Sequence, residues 1–210
     1  FTAEGAVAPV RELLSALPDD GLLVIDDCHG FGVLGPRGAG TAAHAGLSDP
    51  RVIVTSTLAK AIGCYGGFIA GPSHIIDRIR ATSSVYRCTT GLPPGIAMAA
   101  HEALRVIDAE PERLARVLTG ATRFRTALRD LGIRTMDTPA PIFAFTLDPA
   151  SRMRSVHDSL RAAGILAPLI EYPGGPAPIF FRLILTAEHT TSDVDRLLIA
   201  LADCMHEPVA

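Results

Sequence analysis

The chain has 210 residues, of which 48% are hydrophobic and 20% charged, and its formal net charge is −3. This is the composition of an ordinary globular protein, and without a run of basic residues we expect no nucleic-acid partner. No apolar stretch approaches the roughly 18 residues of a membrane-spanning helix, so we expect no membrane partner either.

The four cysteines lack the close spacing of a zinc site, which predicts no metal centre and reduced thiols in a cytoplasmic protein. They are Cys28, Cys64, Cys88 and Cys204. The first residues, FTAEGAVAPV, show no basic segment typical of a signal peptide. Because they read like the middle of a motif, we expect the chain to be a fragment.

The first half of the chain predicts alternating strands and helices. Apolar residues at helical spacing follow Pro9, and an amphipathic helix is predicted over 74–82. Another helix opens at Pro93–Pro94 and runs to about Val106. Three apolar runs are typical of buried parallel strands: GLLVIDD (21–27), RVIVTST (51–57) and GGFIAG (66–71).

After residues 108–111 the pattern changes to a long amphipathic helix over 113–132, closed by Gly132. Short strands are predicted at 142–148 and 179–185, with helices at 151–163 and 191–203. We therefore expect an α/β class with two domains. Residues 1–108 form part of a larger domain with a mainly parallel sheet, and residues 109–210 form a small α+β domain.

The stretch GFGVLG (30–35) matches the G-x-G-x-x-G pattern of dinucleotide-binding proteins. That pattern requires a helix to begin at the glycines, with its N-terminus aimed at the pyrophosphate. Here Pro36, Gly38 and Gly40 follow within a few residues and would break such a helix. We interpret the stretch as an irregular loop instead.

Asp26 and His29 flank the carboxyl end of the first buried strand, where ligands bind in open α/β sheets. Alternatively, Asp26 could cap a turn and His29 could be a surface residue. Lys60 follows the second strand among Ala59, Ala61 and Gly63, so we expect it to be desolvated and able to form a Schiff base. The alternative is an ordinary surface lysine.

Pyridoxal phosphate needs this set of groups: a lysine, a carboxylate for its ring nitrogen, and donors for its phosphate and phenolic oxygen. Hydroxyls at Thr55, Ser56 and Thr57 precede Lys60 and are suitable phosphate donors. The residues therefore predict a pyridoxal-phosphate site at adjacent strand ends.

At the level of motifs the chain resembles the α-oxoamine synthases, whose members include 8-amino-7-oxononanoate synthase, an enzyme of biotin synthesis, and 2-amino-3-ketobutyrate CoA ligase. Five stretches carry the resemblance: FTAEG (1–5), VIDDCHGFGVLGPRGAG (24–40), TSTLAKAIGCYGG (55–67), TTGLPP (89–94) and FRLILTAEHT (181–190). The resemblance implies pyridoxal-phosphate fold type I, which is aspartate aminotransferase-like. Since the family is about twice this length, it also implies the C-terminal half of such an enzyme.

The resemblance also implies roles for individual residues. Lys60 would bind the cofactor and later remove the substrate α-proton, Asp26 would pair with the ring nitrogen, and His29 would hydrogen-bond the phenolic oxygen. Thr57 would contact the phosphate, and Thr2 would donate a hydrogen bond near the ring.

At the partner subunit of a homodimer, Thr89 and Thr90 would reach the phosphate. Arg182 would bind the carboxylate of the amino-acid substrate. Its alternation with apolar neighbours in the predicted strand also favours a specific buried partner.

Three departures from the family pattern bear on which substrate the protein would use. Phe180 stands where the family often has an arginine, Ala59 stands where Gly or Ser commonly precedes the lysine, and the loop 171–178 is short. The function implied is condensation of an amino acid with an acyl-CoA thioester. Two alternatives stay open: a fold-type-I aminotransferase, and an incomplete, non-catalytic half that only dimerises.

Overall fold

The computed structural model describes residues 1–206. These residues form two compact units. We call residues 8–114 the lysine unit. The arginine unit consists of residues 1–7 together with the described residues from 115 onward.

The lysine unit is built on a three-stranded sheet in the order β1-β2-β3. Its strands are β1 (Leu23–Asp26), β2 (Val52–Thr57) and β3 (Gly67–Ala70), and its helices are α1 (Val10–Ser15), α2 (Thr41–His44), α3 (Ser73–Thr82), α4 (Ser84–Cys88) and α5 (Pro94–Ala109). β1 and β2 are parallel, with Asp26 opposite Thr55. The carboxyl ends of both strands therefore lie at the same edge of the sheet.

The third strand runs antiparallel to β2, with Thr57 opposite Gly67. The sheet is therefore mixed among the described residues, whereas the sequence predicts mainly parallel strands. The reason is the short connection 58–66, because a parallel crossover needs about a dozen residues or more. β2 and β3 form a hairpin, and Lys60 lies in its loop.

The arginine unit packs three helices on one face of a second sheet, whose strand order is β4-β6-β5. It contains α6 (Pro111–Asp130), whose first residues precede the unit, and then β4 (Ile142–Phe145), α7 (Arg152–Ala162), β5 (Leu169–Ile170), β6 (Phe180–Ile184) and α8 (Thr191–His206). Phe143, Phe145 and Phe181 are fully buried against the helices. The short strand β5 is absent from the sequence prediction.

The opposite face of this sheet carries Phe180, Ala144 and Arg182, since consecutive residues of a strand alternate in direction. Ala3 packs against Phe180 and Ala144 there. The Thr138 hydroxyl also donates a hydrogen bond to the Gly5 carbonyl at 2.6 Å. These contacts explain why residues 1–7 belong to the arginine unit.

A bilayer-spanning helix must be both long and apolar. Of the helices in residues 1–206, none has enough length and apolarity to cross a membrane.

Candidate functional site

Asp26 is the last residue of β1, and its side chain is exposed. Its Oδ1 accepts a hydrogen bond from the Cys28 backbone N–H at 3.1 Å. Hydrogen bonds from the thiol and the N–H of Cys28 lower the pKa of the Asp26 carboxyl, burial opposes this, and the positive charges of Lys60 and His29 lower it further. Asp26 is therefore a carboxylate at neutral pH, with Lys60 and His29 close enough to act on it.

The Cys28 thiol is half-buried beside this carboxylate. Burial raises the pKa of the thiol, and the hydrogen bond to Asp26 and the negative charge of Asp26 raise it further. The charge of Lys60 and a hydrogen bond with the Thr57 backbone lower the pKa of the thiol. Cys28 is thus a protonated thiol that donates to Asp26 and is not a candidate nucleophile.

Lys60 lies in the hairpin loop 58–66. The loop is closed by hydrogen bonds from the Leu58 N–H to the Gly66 carbonyl at 2.8 Å and from the Cys64 N–H to the Leu58 carbonyl at 2.7 Å. The Gly63 N–H also donates to the Lys60 carbonyl at 2.9 Å. These bonds fix the backbone at the position from which the lysine side chain projects.

The expectation that small neighbours desolvate Lys60 is wrong for this structure, because Lys60, Ala59 and Ala61 are all exposed. Small side chains allow close approach but cover little surface. A stronger signal lies in the residue count: Lys60 is the single lysine among the 210 residues. Lys60 is therefore the one side-chain primary amine that these residues could supply for Schiff-base chemistry.

His29 is half-buried in the turn that follows β1. Its neighbours Gly30 and Phe31 both donate backbone hydrogen bonds to the Asp27 carbonyl, at 3.2 and 3.0 Å. Asp26, His29 and Lys60 thus lie in one unit, on the edge where β1 and β2 end.

The second aspartate, Asp27, is a residue that the sequence interpretation did not single out. It is 3% exposed, and its Oδ2 accepts the Thr41 N–H at 2.8 Å. Its Oδ1 accepts the Thr41 hydroxyl in a short hydrogen bond. The pair of adjacent acids in DDCHG was the available signal, because one of two neighbouring carboxylates after a strand must face inward.

The hydroxyls near Lys60 have protein partners. Thr57 Oγ1 donates to the Gly66 carbonyl at 3.1 Å and accepts the Ala59 N–H at 3.0 Å. Ser56 Oγ donates to the Asp27 carbonyl at 3.1 Å. In this structure the Thr57 hydroxyl therefore stabilises the start of the lysine loop.

Thr89 and Thr90 follow α4 in the lysine unit, and both are exposed. The Thr89 hydroxyl donates to the Val85 carbonyl at 2.5 Å. In this structure the hydroxyl therefore stabilises the end of α4.

Arg182 and Thr2 come together in the arginine unit. The Arg182 Nε–H donates to the Thr2 carbonyl at 2.7 Å, which supplies the specific partner that the strand alternation predicts. Its Nη2 is buried and has no hydrogen-bond partner among residues 1–206. Burial lowers the pKa of this guanidinium, although Tyr172 opposes the effect. Arg182 is therefore a cation with a spare donor.

A metal centre would need several ligating side chains close together. The described part of the chain holds no group of three or more His, Cys, Asp or Glu side chains that could bind a metal ion.

The glycine stretch after β1 is a loop, not the start of a long helix. Phe31 and Ala39 form an isolated bridge, and the Gly32 N–H donates to the Gly38 carbonyl at 2.7 Å. A short 3₁₀ turn occupies Pro36–Gly38, and the helix that follows has only four residues. The loop therefore lacks the helix that a dinucleotide site needs.

Comparison with known proteins gives consistent matches along the chain. The sequence pattern described as aminotransferase class I and II matches residues 3–201. The chain is 37% identical to 8-amino-7-oxononanoate synthase from Methylococcus capsulatus, over 98% of this chain and 54% of that protein. It is 35% identical to 5-aminolevulinate synthase 2 from Cereibacter sphaeroides, over 96% of this chain and 50% of that protein.

A solved structure shows the same fold. Serine palmitoyltransferase from Sphingomonas wittichii matches with a TM-score of 0.85 and 26% identity, over 96% of this chain and 51% of that one. The chain spans about half the length of the curated relatives it matches. These matches confirm pyridoxal-phosphate fold type I and the resemblance to the α-oxoamine synthases, and the chain belongs to the aminotransferase class I and II family.

Proposed function

We propose that the complete protein is a pyridoxal-phosphate enzyme that condenses an amino acid with an acyl-CoA thioester. One observation carries the proposal: the Asp26 carboxylate, His29 and the single lysine, Lys60, share the edge where β1 and β2 end, and the charges of Lys60 and His29 act on Asp26. Relatives of the same family that are named 8-amino-7-oxononanoate synthase and 5-aminolevulinate synthase support the acyl-transfer chemistry.

The residues present fit the cofactor. The lowered pKa of Asp26 keeps the carboxylate charged, which is the form that pairs with a protonated ring nitrogen. The buried Nη2 of Arg182, which has no partner within residues 1–206, is a donor suited to a carboxylate of the substrate. When bound, pyridoxal phosphate supplies an electron sink for the carbanion of the amino acid.

Each side chain then has a defined task. Lys60 would hold the cofactor through its Nζ, and the same amine, once free, would take the proton from the substrate α-carbon. Asp26 holds the proton on the ring nitrogen, and His29 donates a hydrogen bond to the phenolic oxygen. Arg182 binds the substrate carboxylate through its planar guanidinium.

The threonines serve the phosphate and the ring in this proposal. Thr57 contacts the phosphate, which requires its hydroxyl to exchange the Gly66 carbonyl for a phosphate oxygen. Thr2 donates its hydroxyl near the ring, and Thr89 and Thr90 contact the phosphate bound by the partner subunit.

The proposal includes a homodimer whose active site lies at the subunit interface. Large apolar side chains of the lysine unit are exposed and support a partner surface there: Tyr65, Val85, Tyr86 and Met98.

Residues 1–108 are assigned to the large cofactor-binding domain and 109–210 to the small domain. Unpaired thiols at Cys28, Cys64 and Cys88 support a cytoplasmic location.

Borohydride reduction after incubation of the complete protein with pyridoxal phosphate tests the cofactor site. We expect the phosphopyridoxyl group mainly on the peptide that contains Lys60, because Lys60 lies at the same sheet edge as Asp26 and His29, which would hold the cofactor ring. Asp26→Ala should lose the label at limiting cofactor, while the Asp49→Asn control should keep it. The proposal fails if Lys60 stays unlabelled in the wild-type protein.

A further inference from the structure

We infer that Asp27 is a positioning residue: its buried carboxylate binds Thr41 and packs against both ends of the loop 30–40, and it thereby holds His29 in place. The inference rests on the proposed function, in which His29 contacts the cofactor. Three sets of contacts carry it: those of the Asp27 backbone, those of its carboxylate, and those of the loop with the hairpin that bears Lys60.

The backbone of Asp27 closes the turn in which His29 lies. Its carbonyl accepts hydrogen bonds from Gly30 and Phe31, directly after His29, and from the Ser56 hydroxyl of β2 at 3.1 Å. Its N–H donates to the Thr55 carbonyl at 2.8 Å. The turn is therefore attached to both strands that end at the site.

The carboxylate of Asp27 lies between the two ends of the loop. It accepts both the N–H and the hydroxyl of Thr41, the first residue of α2. A Cβ on Gly30 or on Gly40 would overlap one of its two oxygens, so the carboxylate lies against the backbone at the start and at the end of the loop. A carboxylate buried this deeply is stable only when it is hydrogen-bonded, and Thr41 supplies both donors.

The loop in turn packs on the hairpin of Lys60. A Cβ on Gly32 would lie 2.6 Å from the Ala61 Cβ, the residue next to Lys60. The Phe31 ring meets the Phe68 ring of β3 edge to face, with centroids 4.9 Å apart. A displacement of the loop 30–40 would therefore change the position of His29 and, through the contacts with Ala61 and Phe68, that of the lysine loop.

The test compares Asp27→Ala, Asp27→Asn, Thr41→Ala and His29→Asn in the complete protein. The first readout is hydrogen exchange of residues 28–41 without cofactor. We expect Asp27→Ala to speed exchange of the Gly30, Phe31 and Thr41 amides about tenfold or more. Asp27→Asn should restore much of the protection, because an amide can accept the Thr41 N–H and donate to its hydroxyl.

The second readout is the pH midpoint of the visible absorbance of the bound cofactor. A purely structural role of Asp27 would leave this midpoint unchanged. We expect Asp27→Ala to move the midpoint by about half a pH unit or more, in the same direction as His29→Asn. The double variant Asp27→Ala/His29→Asn should move the midpoint no further than His29→Asn alone, since both changes act through the His29 side chain. Asp49→Asn, which removes a carboxylate bonded to Arg51, should leave the midpoint unchanged.

The inference is overturned if Asp27→Ala speeds exchange but leaves the midpoint in place, or if the two shifts add in the double variant. Should Asp27→Ala fail to fold, Asp27→Asn and Thr41→Ala undergo the same two measurements, and the same outcomes support or overturn the inference. A wild-type protein without cofactor absorbance would reject the proposed function itself, and the role of Asp27 toward the cofactor with it.

Discussion

Two adjacent aspartates at the end of β1 perform different tasks because consecutive residues of an extended chain point in opposite directions. Asp26 faces outward, where Lys60 and His29 act on its charge. Asp27 faces inward, is 3% exposed and binds Thr41 through its carboxylate. An exchange of the two roles would need a one-residue shift in register, which the pairing of Asp26 with Thr55 opposes.

Cys28 gives a prediction at the residue scale. Its thiol pKa is raised by burial and by Asp26, so at pH 8 it should react with iodoacetamide about tenfold more slowly than the exposed Cys88. Asp26→Asn removes the charge that raises the pKa and should speed the reaction of Cys28 alone. Alkylation rates followed by peptide mass spectrometry check this, and equal rates for Cys28 and Cys88 would contradict it.

The position of Asp26, His29 and Lys60 at adjacent strand ends could be predicted from the sequence, because strand ends are marked by apolar runs that stop at polar residues. The exposure of Lys60 could not, because the identity of sequence neighbours says little about which distant side chains cover a residue. The hydrogen bond of the Thr57 hydroxyl within the hairpin could not be predicted either, because its partner Gly66 lies on the other side of the loop.

At the scale of elements, the hairpin β2–β3 and the loop 30–40 form the support of the site. The sequence predicts all three strands of the lysine unit but not the direction of the third, which follows from the length of the connection 58–66. The loop is rich in glycine because backbone approaches backbone there. Gly38 lies against the backbone of Gly32, and Gly32 lies against Ala61.

Gly32→Ala tests this packing. Gly32 has φ +82° and no room for a Cβ beside Ala61, so the substitution should lower the free energy of unfolding by about 1–3 kcal/mol. Adding Ala61→Gly should recover part of the loss, because it removes the contact but not the backbone strain. The measurement is the midpoint of urea unfolding.

Gly91→Ala is the matched control for this prediction. Gly91 has open space at the position of a Cβ, so its substitution should change the free energy by less than about 0.5 kcal/mol. A Gly32→Ala variant as stable as the Gly91→Ala control would show that the loop does not pack on the hairpin as described.

At the scale of the whole molecule, the chain builds two units, and residues 1–7 belong with those from 115 onward. The sequence predicts a domain boundary near residue 108, but it does not predict that residues 1–7 pack with the arginine unit. The contacts responsible, Thr138 with Gly5 and Arg182 with Thr2, join residues 133 and 180 positions apart, and no local pattern encodes such pairs. The apolar alternation of β6, by contrast, correctly predicts that Arg182 needs a specific partner.

The most direct measurement of the proposed function is the release of free CoA thiol by the complete protein with pyridoxal phosphate, an amino-acid panel and acyl-CoA thioesters. We expect release that requires both substrates and disappears in Lys60→Ala, while Asp49→Asn retains it. Release of CoA without an amino acid, or transfer of the amino group to a 2-oxo acid with the thioester intact, would contradict the proposed function. The second result would identify an aminotransferase.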